Sequence, residues 1–372
     1  MKKKILYIVN TDKFFLSHRF SVANYLKKKF DISLATNFIL GEIFFKKKGF
    51  KTYKLTINRS SLNIFSNILI LMKIFIVIKN CKPDLIHFIS SKPVIIGGLA
   101  SRFFKIPKVF SISGLGSVFI GDNLISKLRK FFFLLLYKIS LNQKYYKVIF
   151  QNKSDYLEIN KFNTIKKNYK LIPGSGVCLS KFRPKYQNSK VPIVMFPSRM
   201  LRHKGLIEFL QAAEILKKNK INAKFVLVGE IDIHNPSGVK ISEINKWTSS
   251  GTVEYWGYSS NMNKILNLST IVVLPSYREG FPKILMEAAA CGKPVITTNV
   301  PGCRDAVINN FTGKIIPMKN SNLLALAIKN LLSDKNKIRT MSKNARKHAE
   351  KNFDVKKIIQ MHLKVYQSLI NN

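Results

Sequence analysis

The sequence predicts an α/β protein made of two doubly wound parallel sheets. Three observations carry this. Short apolar, β-rich runs alternate with segments of helical period along the chain, the pattern of strands covered by helices on both faces. The alternation runs twice, on either side of the polar, proline-broken stretch FRPKYQNSKVP. A length of 372 residues is long for one domain and comfortable for two. The expectation is two Rossmann-like domains facing a cleft, over 1–185 and 190–352, with a boundary at Lys181–Lys190 and a last helical segment over 353–372.

In the first half, Ile5–Val9 reads as the opening strand and Leu16–Lys28 as a helix, followed by a strand at Ile32–Thr36. The opening run is only five residues before Asn-Thr-Asp, so it reads as a buried strand and not as a signal segment. Leu62–Ile78, interrupted by Lys73, falls short of the roughly 20 apolar residues that a membrane span needs and reads as a buried crossover helix. Leu85–Phe88 is a strand, and Val109–Ser113 leads into a Gly-Leu-Gly loop. The segment KLRKFFFLLLYKISL, with Phe131–Leu136 flanked by basic residues, reads either as a core helix or as one lying on a membrane. Val148–Gln151 closes the run. In the second half, strands are expected at Ile193–Phe196, Phe225–Val228, Val253–Trp256, Ile271–Leu274 and Val295–Thr297. Helices are expected at Leu206–Lys217, Asn261–Asn267, Pro282–Cys291 and Leu323–Leu332. The last helix, Val355–Ser368, has no partner strand.

The net charge of +44 is concentrated in the first half, where residues 1–186 hold 35 basic and 7 acidic residues. Such an excess suits nucleic acid or an anionic membrane surface, and it also follows from a composition rich in Lys, Asn, Ile and Phe. Lysine dominates, 52 against 11 arginines, with no cluster of arginine and stacking aromatics. This favours the membrane over nucleic acid. Cys81, Cys178, Cys291 and Cys303 show neither Cys-x-x-Cys nor histidine pairing, so they suggest no zinc or redox site and suit a reducing cytoplasm.

Chemistry concentrates in PSYREGFPKILMEAAACGKPVITTNVPG, residues 275–302. Glu279 and Glu287 stand on either side of a Gly-Phe-Pro turn that follows the strand Ile271–Leu274 and opens a helix. Pro282 pre-sets φ for the first turn, whose free N–H groups favour an anion, and Gly280 lets a phosphate approach the backbone. Glu287 can accept from vicinal ribose hydroxyls and Glu279 can reach toward a hexose. Upstream, Arg199 and Lys204 sit in a similar strand-to-helix turn, SRMLRHKG. Together these are two cations for a diphosphate and two carboxylates for sugar hydroxyls, the needs of a nucleotide-sugar. No Asp-x-Asp metal pair is present. Glu230-Ile-Asp232 comes nearest and reads as a loop with acidic caps, so no metal and no cofactor are expected.

Arg199, Lys204, Glu279 and Glu287 resemble the donor-site signature of the family-4 retaining glycosyltransferases of GT-B fold. The similarity extends through SHRFSVANYL, PDLIHF, GLGSVF, LIPGSGVCLSKFRP, FVLVGE and PGCRDAVINNFTGKIIP. It is greatest to bacterial members that extend lipid-linked sugars. The resemblance implies a nucleotide-sugar donor, an N-acetylhexosamine on UDP, and a polyprenyl-diphosphate-linked saccharide acceptor in surface polysaccharide or glycan assembly. It implies a cytoplasmic enzyme peripheral on the inner face of the plasma membrane. Arg199, Lys204 and Glu279 take the catalytic positions, and Gly280, Phe281, Pro282 and Glu287 bind the donor. The first domain binds the acceptor and the last helix crosses back onto it. Ser113, with Gly114 and Gly116, stands where relatives carry a histidine or glutamate, a departure that leaves it a hydrogen bond to the donor sugar. His18 and Arg19, at the start of the first helix, are the acceptor-diphosphate contacts. His87 reads as a ligand or as a satisfied core histidine, and His203 as an exposed neighbour of Lys204. No certain nucleophilic carboxylate is offered, so front-face substitution is expected over double displacement. A nucleotide-sugar 2-epimerase of the same architecture and a basic nucleic-acid-binding protein are the rival readings.

Overall fold

The structure, a computed structural model, describes residues 2–57, 63–121, 123–165, 168–185, 191–233 and 235–370. It divides into two compact units, residues 1–175 with 355–372, and residues 176–354.

The first unit holds a parallel sheet of seven strands: β1 (Lys4–Thr11), β2 (Asp31–Asn37), β3 (Lys51–Lys54), β4 (Leu85–Ile89), β5 (Lys108–Ile112), β6 (Tyr146–Phe150) and β7 (Tyr169–Leu171). Their order is β3-β2-β1-β4-β5-β6-β7. Side chains alternate between the two faces of a strand. Leu6, Ile8, Phe88 and Phe110 therefore enter one core, while Ile5, Tyr7, Val9 and Val109 enter the other. Helices Ile64–Cys81, Ser91–Ala100 and Leu124–Leu141 cover the first face. Phe20–Leu26 and the last helix, Val355–Ile370, contribute to the second. In the second unit the order is β10-β9-β8-β11-β12-β13, again parallel. These strands are β8 (Ile193–Pro197), β9 (Lys224–Val228), β10 (Glu254–Tyr255), β11 (Ile271–Leu274), β12 (Val295–Thr298) and β13 (Gly313–Ile316).

Several expectations are corrected. The structure adds β3, β7 and β13 to the strands expected, and all three are terminal in their sheets. An edge strand lacks the continuous apolar run of a central one, as KTYK illustrates. The single helix expected over Leu16–Lys28 is two, Asp12–His18 and Phe20–Leu26. Thr11 caps the first by accepting from the Phe14 N–H at 3.3 Å, so the helix starts earlier. Arg19, at φ −131°, breaks it from the second. Helix Ser91–Ala100 is masked in the sequence by its Gly-Gly pair, yet the pair permits its packing: a Cβ on Gly97 would lie 2.2 Å from the Phe88 ring.

The boundary also moves. The units part at Ser175 and Gly176, ahead of the expected Lys181–Lys190, of which 186–190 lie outside the described residues. The segment from 176 is already tied into the second unit. The Val177 N–H donates to the Phe353 carbonyl at 2.7 Å, and Arg346 Nη1 donates to the Phe182 carbonyl at 2.8 Å. Val177 and Phe182 are buried in that unit's core.

Helix Ile64–Cys81 is not the buried helix that its composition suggests. Among the described residues it is the one helix long and apolar enough to cross a membrane, and only 28 % of it is buried. Ile70, Ile74, Val77, Ile78 and Cys81 line the core, while its other face is exposed.

Candidate active site

In the second unit, two loops at the carboxyl ends of β8 and β11 carry the charged residues singled out in the sequence, in line with the placement of ligand sites in open parallel sheets. Their approach is tight. The Tyr277 N–H donates to the His203 carbonyl at 3.0 Å. Gly205 has φ +78°, and a Cβ there would meet the Pro275 carbonyl oxygen at 2.2 Å, so the turn after Lys204 requires glycine. This contact brings Lys204 Nζ onto Glu279 Oε1, joining two residues 75 positions apart in a hydrogen-bonded ion pair that is mostly shielded from solvent. Ser276 Oγ donates to the same carboxylate oxygen at 2.9 Å. The Thr298 hydroxyl, at the end of β12, donates to the Ser276 carbonyl and holds that loop from behind.

Arg199 lies one loop away. Its Nη1 donates to Asp232 Oδ2 at 2.7 Å, across from the loop after β9. Asp232 is thus the partner of a cation. Among the described residues no group of three or more His, Cys, Asp or Glu side chains could hold a metal ion.

Helix Lys283–Ala290 opens with Pro282 at its N-cap, at φ −68°. Glu287 lies within it, only 6 % exposed, and Lys283 Nζ reaches its Oε1 at 3.1 Å. Burial pushes the Glu287 carboxyl above its ordinary value, and the Lys283 charge pulls back in the other direction. Gly280 is buried. Phe281 is 7 % exposed with its ring 5.6 Å from that of Phe353, so its side chain belongs to the core and not to a ligand surface.

Sequence reasoning missed one pair here. The Tyr277 hydroxyl donates to Glu208 Oε1 at 2.6 Å, tying the helix after Lys204 to the loop before Glu279. Burial and the Glu208 carboxylate both raise the Tyr277 hydroxyl above its usual range. Glu208 stands in the first turn of helix Leu206–Lys218, where an acidic residue is ordinary, so the sequence carried no signal for the pair.

In the first unit, Ser113 follows β5 and its Oγ is buried without a hydrogen-bond partner, an arrangement that needs an explanation beyond packing. His18 is half-buried, stacked on Phe14 at 4.3 Å with Nδ1 2.6 Å from Ser17 Oγ. Arg19 does not share its surface and cannot act beside it as an exposed diphosphate contact. It is 1 % exposed and points into the interior, with no carboxylate partner among the described residues. Its Nη1 donates to the His18 carbonyl at 3.1 Å and its Nε finds no partner. Around it, His87 takes the core role: Nδ1 is 2.6 Å from the Tyr366 hydroxyl and Nε2 2.6 Å from Ser111 Oγ. The Tyr7 and Tyr366 hydroxyls are 2.7 Å apart. His362, fully buried beside them, has no partner at either ring nitrogen. Burial and the Arg19 charge hold His362 well below the ordinary histidine value, and His87 is lowered by burial, His362 and Arg19.

Comparison with known proteins gives the family and the fold. Residues 180–348 match the family described as glycosyl transferases group 1, and residues 4–152 match glycosyl transferase 4-like. The chain is 35 % identical over 341 residues to the N,N'-diacetylbacillosaminyl-diphospho-undecaprenol alpha-1,3-N-acetylgalactosaminyltransferase of Campylobacter jejuni, covering 87 % of each chain. It is 23 % identical to the UDP-Gal:alpha-D-GlcNAc-diphosphoundecaprenol alpha-1,3-galactosyltransferase of Escherichia coli, covering 81 % of this chain and 80 % of the relative. The crystal structure of Anabaena HepE in complex with UDP has the same fold, with a TM-score of 0.81 at 18 % identity over 99 % of this chain and 100 % of that one. The chain belongs to the family-4 retaining glycosyltransferases of GT-B fold.

Proposed function

We propose that this glycosyltransferase moves an N-acetylhexosamine from a UDP-sugar, with retention, to an undecaprenyl-diphosphate-linked saccharide at the inner face of the plasma membrane, in the assembly of a surface glycan. The observation that carries this is the relative from Campylobacter jejuni, 35 % identical over 87 % of both chains, whose name gives that acceptor class and sugar. In this reading the second unit binds the donor and the first the acceptor. The excess of positive charge in the first half is matched to anionic lipid and not to nucleic acid, since it consists mostly of lysine.

The residues divide the work by chemistry. Lys204, now neutralised by Glu279, turns to the donor diphosphate and frees the carboxylate for hexose hydroxyls. The Arg199 guanidinium grips diphosphate oxygens in exchange for Asp232. Both interactions strengthen as negative charge builds on the leaving UDP. Glu287 accepts from ribose hydroxyls. The first-turn N–H groups of helix Lys283–Ala290, beside Gly280 and Pro282, stabilise phosphate. The Ser113 hydroxyl, lacking a protein partner, bonds a donor hydroxyl, and His18 contacts the acceptor. The bond between the anomeric carbon and the phosphate oxygen breaks as the acceptor oxygen bonds on the same face. The acceptor proton passes to the departing phosphate oxygen.

The test is incubation with a panel of labelled UDP-sugars and an undecaprenyl-diphosphate-linked oligosaccharide, with and without chelator. The expected result is transfer of one N-acetylhexosamine in α linkage, unaffected by chelator because the sequence carries no Asp-x-Asp metal pair and Arg199 and Lys204 supply the charge that a metal would. Conversion of the UDP-sugar in the absence of acceptor would instead indicate an epimerase. Transfer to water-soluble saccharides alone would remove the lipid-linked acceptor.

A further inference from the structure

The first unit carries an apolar outer surface that neither its core nor its donor chemistry uses. Helices Ile64–Cys81, Ser91–Ala100 and Leu124–Leu141 lie side by side on one sheet face, and the middle one is almost wholly buried. The two flanking helices bury one line of residues and expose an apolar line opposite. On the first, Ile68, Met72 and Ile76 are exposed. On the second, Leu128, Phe132 and Ile139 are exposed. Phe103, 78 % exposed, stands between them: its ring is 6.1 Å from Phe75 on the first helix, and the adjacent Arg102 donates from Nη2 to the Ile139 carbonyl of the second at 2.8 Å. The most exposed residues fall in the opening turns, with Phe65 at 80 % and Leu124 at 82 %, beside Ile64 and Ile125. Helices that follow β3 and β5 start at the carboxyl-end edge of the sheet, so both apolar tips project from the edge where ligands bind.

The charge beside this surface has one sign. None of the three helices contains Asp or Glu, and Lys73, Lys79, Lys127 and Lys138 are exposed along the two outer ones. Apolar residues bordered by lysine are the composition of a surface that lies in an anionic lipid interface. A second copy of this chain would bring lysine against lysine. Nor can Ile64–Cys81 span the bilayer as it stands, because its other face is packed into the sheet.

We infer that helices Ile64–Cys81 and Leu124–Leu141 form one paired docking surface for an anionic bilayer, with their opening turns deepest. The carboxyl-end edge of the first sheet then meets the lipid where a polyprenyl-linked acceptor would lie. The functional purpose rests on the proposed acceptor; the docking itself is read from the surface. It enlarges the contact open to Phe131–Leu136 alone, since Leu134 lies in the core and Phe133 packs against it.

The test is flotation of the full chain with phosphatidylethanolamine–phosphatidylglycerol vesicles, without donor or acceptor. The variants are Ile64→Ser with Phe65→Ser, Leu124→Ser with Ile125→Ser, and all four together. Each pair should weaken vesicle binding by about tenfold and the four by more. Thermal unfolding and turnover of a short water-soluble acceptor should stay as in the parent. Phe65→Trp, which keeps the surface apolar, should bind normally, and brominated lipid should quench its fluorescence more than that of the parent. Flotation of the fourfold variant at parental affinity overturns the proposal, as does quenching of the Phe65→Trp variant no greater than the parent's. A parent dimer that the variants split, with vesicle binding unchanged, assigns the face to self-association and also overturns it. If docking holds while detergent-dispersed lipid-linked acceptor is not extended, it is the proposed function that fails.

Discussion

One oxygen of Glu279 accepts from both Lys204 and Ser276, and this convergence is the centre of the proposed donor site. Arg199→Ala and Lys204→Ala should each lower kcat/KM at least a hundredfold with the fold retained, since losing one preorganised charge donor costs about 3 kcal/mol in the transition state. Steady-state kinetics against UDP-sugar measures this, and near-parental values in both would remove the diphosphate from this site. Glu287 makes a different prediction. Burial raises its folded pKa, so the stability it contributes is complete below the unfolded value and is lost as pH rises through the folded value. Above the unfolded value burial of this carboxyl therefore costs stability, and Glu287→Gln should unfold no lower than the parent at pH 7. Its KM for donor should nevertheless rise about tenfold or more, because a hydrogen bond to a charged group is lost. A parental KM would deny Glu287 a role in holding the donor. Lys204 and Glu279 were legible because each sits in a turn with its own local signature. The Tyr277–Glu208 contact was not, since it joins positions 69 apart and neither residue is unusual where it stands. Arg19 was misread because adjacency to His18 in sequence says nothing of which way the chain turns after it.

At the scale of elements, central strands announce themselves and three of the four terminal strands do not, β10 being the one that was expected, over Val253–Trp256. β1, β4, β5, β8 and β11 are apolar on both faces and were readable as such, while β3 carries lysine at both ends. The last helix illustrates what burial adds. It closes the first unit by placing Tyr366 and His362 against Tyr7, His87 and Arg19. Both histidines are held below their ordinary value. Their contribution to stability is thus present above the unfolded value of 6.5 and is lost as pH falls through the lower folded values. The first unit should lose stability from about pH 6.5 downward by about 1.4 kcal/mol per pH unit for each histidine. His362→Phe, which fills the space without an unpartnered nitrogen, should halve that slope without lowering stability at pH 8. Urea unfolding at several pH values decides it, and an unchanged slope would mean that His362 does not titrate on unfolding.

For the whole molecule, the first unit takes its chain from both ends of the sequence while the second is continuous. Ending the chain at Asp354 removes Ile358, Ile359, Leu363, Val365 and Tyr366 from the core that they share with Tyr7 and Val109. At about 1.5–3 kcal/mol for each large apolar side chain, that loss exceeds much of a domain's net stability of about 5–15 kcal/mol. Calorimetry of the truncated chain should show one cooperative transition, from residues 176–354, and two transitions would contradict the assignment of the helix to the first core. The sequence alone determined the parallel α/β class, the repetition of the pattern, the strands at the sheet centres and the charged turns at Arg199, Lys204 and Glu279. Each of these is written in a local signal: a run of apolar residues, a turn, a short spacing. Only the tertiary structure decided that Lys204 pairs with Glu279, that Arg19 and Phe281 point inward, that the units part at Ser175 and Gly176, and that helix Ile64–Cys81 leaves one apolar face outside. These depend on which neighbours the fold supplies, and a contact between distant positions leaves no mark in the residues on either side of it.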